Sequence, residues 1–454
     1  MLIHVVLLSG RSTTIDVAAG KYLRVSDVRR KAQEDFQLGL RCLVTEDGCE
    51  LEGQQPVASL FQGDIGNNFH DTLTLHACVR SSELCSSPLS TAFALLTADG
   101  SVYAWGHPDR GGDAKEVQSQ LNDIQQLSCT SGAFCAVRGD GHVITWGSSD
   151  LGGRIPPLVR NRLSHVKEVI GSQSAFAALL QNGTVVTWGE LHVEISVPRD
   201  ADTAAVFYDG AVVTRGDMEH RHSEKEDLQD VRAVRSCGSL FAAIVGDERR
   251  VMTWGQSNMT DKDYTVLQSL RDVRDLAFSD YAFAALLEDG HVTTWGLAVC
   301  GGEVPAEVQS ELYDIRFLCA NHAAFAALRQ DGQVLVWGSA EYGGNVPDVV
   351  KPSLTEVQHL VASSRAFCAV KADGTVVTWG QDSFGADSSH VQLELFAVQH
   401  VVATSRAFAA LRSDGEVICW GDARYGGKKS RDAESQLKDV QQSLSLTGSA
   451  VFEA

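Results

Sequence analysis

Three kinds of residue in this chain could do chemistry: eight tryptophans, eleven cysteines, and the pair His220 and His222. An exposed indole can stack on a ligand ring, paired thiols can hold a metal or exchange disulfides, and imidazoles ligate metals. The cysteines form no Cys-x-x-Cys pair, and Cys135 and Cys368 replace alanine in Ala-Phe-Cys-Ala-Val strings, which makes them small core residues. His220-Arg221-His222 has no cysteine or third histidine close by, so it reads as a surface loop. No phosphate-binding Gly-rich loop, Gly-x-Ser-x-Gly elbow or His-Glu-x-x-His helix occurs. The expectation is a non-catalytic chain without cofactor or metal.

The tryptophans carry a stronger signal in their spacing. Each is followed by glycine, and Trp105, Trp146, Trp188, Trp254, Trp295, Trp337, Trp379 and Trp420 lie 41 or 42 residues apart except for one gap of 66. A fixed period of this size marks a repeat array, in which each unit buries its apolar face on its neighbours. An indole at the same phase in every unit is then packing between units rather than a ligand platform.

The unit is clearest from Ala282 to Gly296, where two apolar, β-branched runs flank Asp289-Gly290. Asp-Gly favours a tight hairpin turn with positive φ, and it recurs at Asp99-Gly100, Asp140-Gly141, Asp331-Gly332, Asp373-Gly374 and Asp414-Gly415, with Asn182-Gly183 as its equivalent. The repeated aspartates are therefore turn residues, not paired catalytic carboxylates. A third element precedes each hairpin, as in Leu270 to Leu276, giving three strands per unit. A glycine pair after each of several tryptophans, such as Gly301-Gly302, marks the crossing to the next unit.

The long gap holds a worn unit, Ala204 to Gly216, with Arg215 at the tryptophan position and about one strand missing. The first unit starts at Thr91-Ala92-Phe93 without an upstream strand, while Leu437 to Ala454 read as such a strand and the start of a hairpin. The C-terminal segment is therefore expected to complete the first blade and close a ring, which removes the exposed edges of an open array. The fold class is mainly β: a β-propeller of seven to nine short units over residues 91–454.

The string Leu-x-x-Asp-Gly-x-Val-x-x-Trp-Gly resembles the repeat of the chromosome-condensation-regulator family, whose members form β-propellers. The resemblance covers residues 90–454, with Gly-Gly here where that family has Gly-Gln-Leu-Gly. It implies a protein-binding propeller like the propeller portion of HERC-type ubiquitin ligases, without their catalytic domain. It also implies two alternatives: exchange of guanine nucleotides on a small GTPase, or binding and inhibition of an enzyme.

Residues 1–80 form a different unit, with 81–90 as a linker. Met1 to Gly10 and Thr13 to Val17 read as a hairpin, Val25 to Gln33 as a helix with Val25, Val28 and Ala32 on one face, and Arg41 to Val44 and Thr72 to Ala77 as further strands, an α+β arrangement. The order resembles the ubiquitin-like β-grasp. By that resemblance Leu8, Leu43 and His76 would fall on a recognition patch.

Composition sets the remaining bounds. The net charge is -20, of which residues 1–85 carry -3; such a surface repels phosphate backbones, so nucleic acid is not an expected partner. No apolar run nears the roughly 20 residues that span a bilayer, no secretory signal is expected at the start, and no strong basic localisation cluster exists beyond Lys428-Lys429, so the expectation is a cytoplasmic or nuclear protein. Expected partners are proteins, either ubiquitin-pathway components or basic protein surfaces. On the repeat reading, Trp295→Ala costs about 3–5 kcal/mol and Trp254→Ala less, because its neighbour is the worn unit; denaturant unfolding of both variants measures the difference.

Overall fold

A computed structural model describes residues 2–7, 11–16, 23–36, 40–45, 49–51, 55–61, 72–79, 82–171, 174–180, 185–189, 203–206, 212–215, 231–237, 240–255, 260–429 and 434. Leu8, Asn182-Gly183, His220 to His222 and residues 437–454 lie outside them.

The N-terminal unit is a four-stranded mixed sheet with one helix. Its strands β1 (Leu2–Leu7), β2 (Ser12–Asp16), β3 (Leu40–Val44) and β4 (Thr72–Val79) are ordered β2-β1-β4-β3, with β1 and β4 parallel at the centre and both outer pairs antiparallel. Helix α1 (Val25–Phe36) packs Val25, Val28, Ala32 and Phe36 against Ile3, Val5, Leu75 and Ala77 of the sheet. The period of 3.6 in the helix and of 2 in β1 put these residues on facing surfaces.

Beyond it the described residues form nine small sheets: eight have three strands and one has two. A representative blade, the eighth, comprises Val357–Ala362, Ala366–Lys371 and Val376–Gly380, paired antiparallel in that order. The first strands of the sixth to ninth blades lie side by side and continue onto the first strands of the first, second and third. The hairpin turn is a three-residue loop rather than a two-residue one: in the eighth blade Gly374 N donates to Lys371 O at 3.0 Å and Lys371 N to Thr375 O at 2.9 Å, with Gly374 at φ +75°. This is a type I turn closed by a left-handed residue, which is why glycine stands there. The adjacent aspartate caps the turn, as Asp373 Oδ1 accepts from Thr375 N at 2.9 Å.

Blades are joined through the tryptophans. Trp337 stacks on Phe325 of its own blade at 5.3 Å and lies against Ala282 and Ala284 of the sixth blade, while its Nε1 donates to Gly301 O at 3.0 Å in the loop leaving that blade. The same bond links Trp146 to Gly111, Trp188 to Gly152, Trp379 to Gly343 and Trp420 to Gly385, at 2.9–3.1 Å. The acceptor glycines have φ between +83° and +97°, and a Cβ at Gly301 would stand 2.5 Å from the Phe325 ring. The glycine pairs are thus seats for the next blade's aromatic pair, a tighter requirement than a crossing loop.

The worn unit is the two-stranded sheet, Thr203–Val206 and Val212–Arg215, and its register puts Thr203 opposite Arg215 where other blades pair phenylalanine with tryptophan. It therefore lacks both members of the aromatic pair.

Two expectations about the ends are corrected. Strand β5 (Glu83–Cys85) lies in the segment expected to be a linker and completes the first blade with Ala92–Leu96 and Val102–Gly106. The edge that residues 437–454 were expected to fill is therefore already occupied. Closure is made by blade faces instead: Trp105 Nε1 donates to Gly426 O at 3.2 Å across 321 residues of sequence, and Leu84, Phe93, Leu95 and Trp105 pack on Ala407, Ala409, Leu411 and Val417 of the ninth blade.

The N-terminal unit is docked on the second blade. Arg29, only 6% exposed, donates to both carboxylate oxygens of Asp123 at 3.0 and 3.1 Å, and its other nitrogen to Arg41 O at 3.3 Å. Gly139 makes room for it, since a Cβ there would stand 1.8 Å from Arg29 Nη2. The first, sixth, seventh, eighth and ninth blades place Ala98, Glu288, Gln330, Ala372 and Ser413 at that position.

Gly426→Ala tests the seam. It forces a side chain to φ +91° and against Phe93, whereas Gly415→Ala in the same blade meets the left-handed φ of +83° with nothing within 4 Å. Thermal unfolding should show Gly426→Ala costing about 1–3 kcal/mol more than Gly415→Ala.

Candidate protein-binding face

One end of the propeller is built from the turns between first and second strands together with the loops that follow each Trp-Gly. A hydrogen bond joins the two within each blade: Leu297 N to Tyr281 O at 2.8 Å, Ser339 N to Ala323 O at 2.8 Å, Gln381 N to Arg365 O at 3.0 Å and Asp422 N to Arg406 O at 3.0 Å. Bonds between blades run round the same rim, from Asp280 N to His322 O at 2.9 Å, His322 N to Ser364 O at 3.4 Å, Ser364 N to Ser405 O at 3.0 Å and Ser405 N to Ser90 O at 2.9 Å. The last of these again crosses the seam into the first blade.

A short polar side chain fixes each loop from beneath. Ser279, Asn321, Ser363 and Thr404 are buried, and they donate to the carbonyls of Cys300, Tyr342, Phe384 and Tyr425 at 2.7–3.0 Å. Each also accepts a backbone N–H from the start of the second strand, at Ala282, Ala324, Ala366 and, for Thr404, Arg406. The sequence signal was present, a Ser, Asn or Thr three residues before the strand alanine, but it resembles ordinary turn composition. These bonds leave the side chains above the loops on a rigid base.

On the sixth blade this base presents apolar side chains to solvent: Tyr281 is 52%, Leu297 50% and Val299 68% exposed. Helix Asp261–Ser269 supports them from the side in place of a glycine-pair loop. Thr260 and Asp263 form a reciprocal cap, with Thr260 N and Oγ1 both donating to Asp263 Oδ2 at 2.7 Å, and Asp263 Oδ1 accepts Gly296 N at 2.9 Å, next to Leu297. Burial pushes the Asp263 carboxyl up, but the bonds from Thr260 and Gly296 outweigh it and hold the group below the usual carboxylate range.

The opposite end spends its charges internally. Arg138 pairs with Asp140 and Arg329 with Asp331, each at 2.8 Å, and Arg329 and Arg412 lie over Tyr313 and Phe396 at 4.5 and 3.9 Å. The N-terminal unit occupies part of this end through Asp123 and Gly139.

The sequence-derived site residues fall as follows. Trp105, Trp146, Trp188, Trp295, Trp337, Trp379 and Trp420 are buried between blades, and the Trp254 side chain lies outside the described residues. Leu43 is 1% exposed and part of the N-terminal core, because a register shift between Leu40 and Cys42 puts Leu43 opposite Ala77 on the core face and Cys42 opposite Cys78 on the other. The patch expected from Leu8, Leu43 and His76 therefore lacks Leu43, and His76, half-buried on β4, remains. Cys135 and Cys368 are buried in second strands, where burial pushes both thiols well up. No cluster of three metal-binding side chains occurs among the described residues, and none of their helices is long and apolar enough to cross a membrane.

No family model matches the chain, and no curated protein matches it. Among solved structures it is similar to the ectodomain of the Physcomitrella patens receptor kinase CR4, with 17% identity over 66% of this chain and 73% of that one and a TM-score of 0.39. It is also similar to Prp20p from Saccharomyces cerevisiae, described with its binding to Gsp1p and histones, at 17% identity over 70% and 80% of the two chains and a TM-score of 0.37. A second structure of yeast RCC1 (Prp20), bound to Kap60, gives 17% identity, 71% and 79% coverage and a TM-score of 0.39. Likeness at this level says nothing about function; the propeller is defined by the blades themselves.

Asp263 supplies a pH-dependent test of the face. Its folded pKa is depressed, so its contribution is full above the unfolded carboxylate value of about 4 and is lost as pH falls through the folded one. Asp263→Asn should lower stability by about 1–2 kcal/mol at pH 7, with the gap to the parent closing below about pH 4; urea unfolding across that range measures it.

Proposed function

We propose that this chain is a non-catalytic protein-interaction scaffold whose propeller holds a protein partner on the face carrying Tyr281, Leu297 and Val299. The observation that carries the reading is that apolar cluster, exposed on loops whose backbone is tied down by buried Ser279 and Asp263. Apolar side chains on a pre-ordered base bind with little loss of conformational entropy. The opposite end is partly covered by the N-terminal unit, which favours this one as the binding end.

The finer reading is that the chain recruits substrates in the ubiquitin pathway. It is supported by the strand order β2-β1-β4-β3 with a parallel centre, which is the arrangement of the ubiquitin-like β-grasp, and by the resemblance of the repeat to the chromosome-condensation-regulator and HERC-type propellers. The loss of Leu43 from the surface argues that such a module serves as a fixed part of the scaffold rather than as a free ubiquitin mimic.

Affinity purification with mass spectrometry tests both levels. A Tyr281→Ala, Leu297→Ser, Val299→Ser triple variant should lose the partners of the full chain, while Leu393→Ser, at a side chain 95% exposed outside this face, should keep them; equal retention by both refutes the face. For the finer reading, a truncation must begin at residue 82, because one beginning at 86 would remove β5 from the first blade. Ligase or proteasome subunits retained by the full chain and lost from residues 82–454 are the expected result.

A further inference from the structure

The same face carries a second feature across the seventh to ninth blades, a row in which aromatic rings alternate with guanidinium groups. The Arg365 guanidinium lies 4.6 Å from the Tyr342 ring centre and 5.0 Å from that of Phe384, and the Arg406 guanidinium 4.6 Å from Phe384 and 5.1 Å from Tyr425. The repeat does not require this. At the arginine position other blades carry Thr91, Gly132, Tyr281 and Ala323, and at the ring position Arg110, Leu151 and Cys300. The row belongs to three adjacent blades only.

Stacking fixes the plane of a guanidinium and leaves its N–H edges pointing away from the rings. Those edges are largely unused. Arg365 makes one bond, from Nη1 to Gln381 Oε1 at 3.3 Å, and the Arg406 guanidinium makes no hydrogen bond among the described residues. Asp422, whose carboxylate also feels the Arg406 charge, is hydrogen-bonded by Arg424, whose Nε, Nη2 and backbone N all donate to it at 2.8–3.2 Å. Two oriented cations with free donors, sharing the Phe384 ring, form a recognition fork in a chain that is otherwise strongly acidic.

We propose that Arg365 and Arg406 receive two carboxylates from an acidic segment of the partner protein. The proposal rests on the reading of this end as the binding face and names the chemistry of what binds there. An extended chain puts same-side residues about 7 Å apart, a spacing within reach of two cations that share one ring at 5.0 and 4.6 Å from its centre, and each guanidinium edge matches a carboxylate in bidentate fashion. Nucleic acid fits less well, because the ring faces that would stack bases are covered by the arginines.

The test is fluorescence anisotropy of the full chain with a labelled decapeptide that alternates glutamate and threonine, beside the same peptide with glutamine, and with phosphoserine, in place of glutamate. The glutamate peptide should bind at least about tenfold more tightly than the glutamine one, and R365Q and R406Q should each weaken it about tenfold. R406K, which keeps the charge and loses the fork, should fall between. Equal binding of the glutamate and glutamine peptides, no binding of the glutamate peptide, or full binding by an R365Q/R406Q double variant overturns the proposal; the peptide comparison on the parent chain needs no variant to fold. Preference for the phosphoserine peptide would reassign the fork to phosphorylated segments and likewise overturn it. Loss of natural partners by the Tyr281, Leu297, Val299 variant alongside their retention by R365Q/R406Q would leave the binding face standing and remove only the acidic segment.

Discussion

A buried indole is best placed with its N–H on an acceptor, and that constraint organises six blade-to-blade contacts, those of Trp105, Trp146, Trp188, Trp337, Trp379 and Trp420, whereas the buried Nε1 of Trp295 has no partner among the described residues. The ring is needed to fill the space between blades, where it stacks on a phenylalanine of its own sheet. Its N–H can reach only the loop leaving the preceding blade, and the carbonyl offered there belongs to a left-handed glycine pressed against that phenylalanine. Acceptor, turn and aromatic pair therefore fix the distance from one blade to the next, and the 41- to 42-residue period is the sequence record of that distance. The bond from Trp105 to Gly426 is the same contact made between the two ends of the array, so closure follows the rule that builds the five other indole-bonded steps.

Much of this was legible in the chain. Trp-Gly and Asp-Gly carry strong local chemistry, and their phase exposed even the worn unit, where Thr203 and Arg215 replace the aromatic pair. What escaped was chemistry without a local pattern. Glu83–Cys85 is three residues long, too short to show alternation, and was hidden inside a polar stretch. The glycine pairs announced loops but not the indole acceptors they provide. Leu43 follows the alternation of a strand whose register shift reverses it. Arg29 and Gly139 meet only in three dimensions, and nothing near either residue signals the other.

The two ends of the propeller divide the work. At one end the turn aspartates cap their own backbone and the arginines beside them pair with acids or lie on rings, while Asp123 anchors the N-terminal unit. At the other, buried Ser, Asn and Thr side chains hold the loops, which frees the side chains above them for contact. The exposed apolar cluster and the stacked arginines both lie on this second end. Packing by Trp and Phe makes the scaffold, and a small number of positions where the repeat departs from itself, Tyr281, Leu297, Arg365 and Arg406 among them, give it a surface that differs from blade to blade.

The most direct measurement of the account is hydrogen exchange, followed by mass spectrometry, in the middle strands of the first, seventh and ninth blades. If the Trp105 to Gly426 contact closes the ring, the amides of Ala92–Leu96 and Ala407–Arg412 will be protected as strongly as those of Ala324–Arg329, which lie far from the seam. If the strands flanking the seam exchange markedly faster than the seventh blade, the array is open in solution and the rule that joins its other blades does not join its ends.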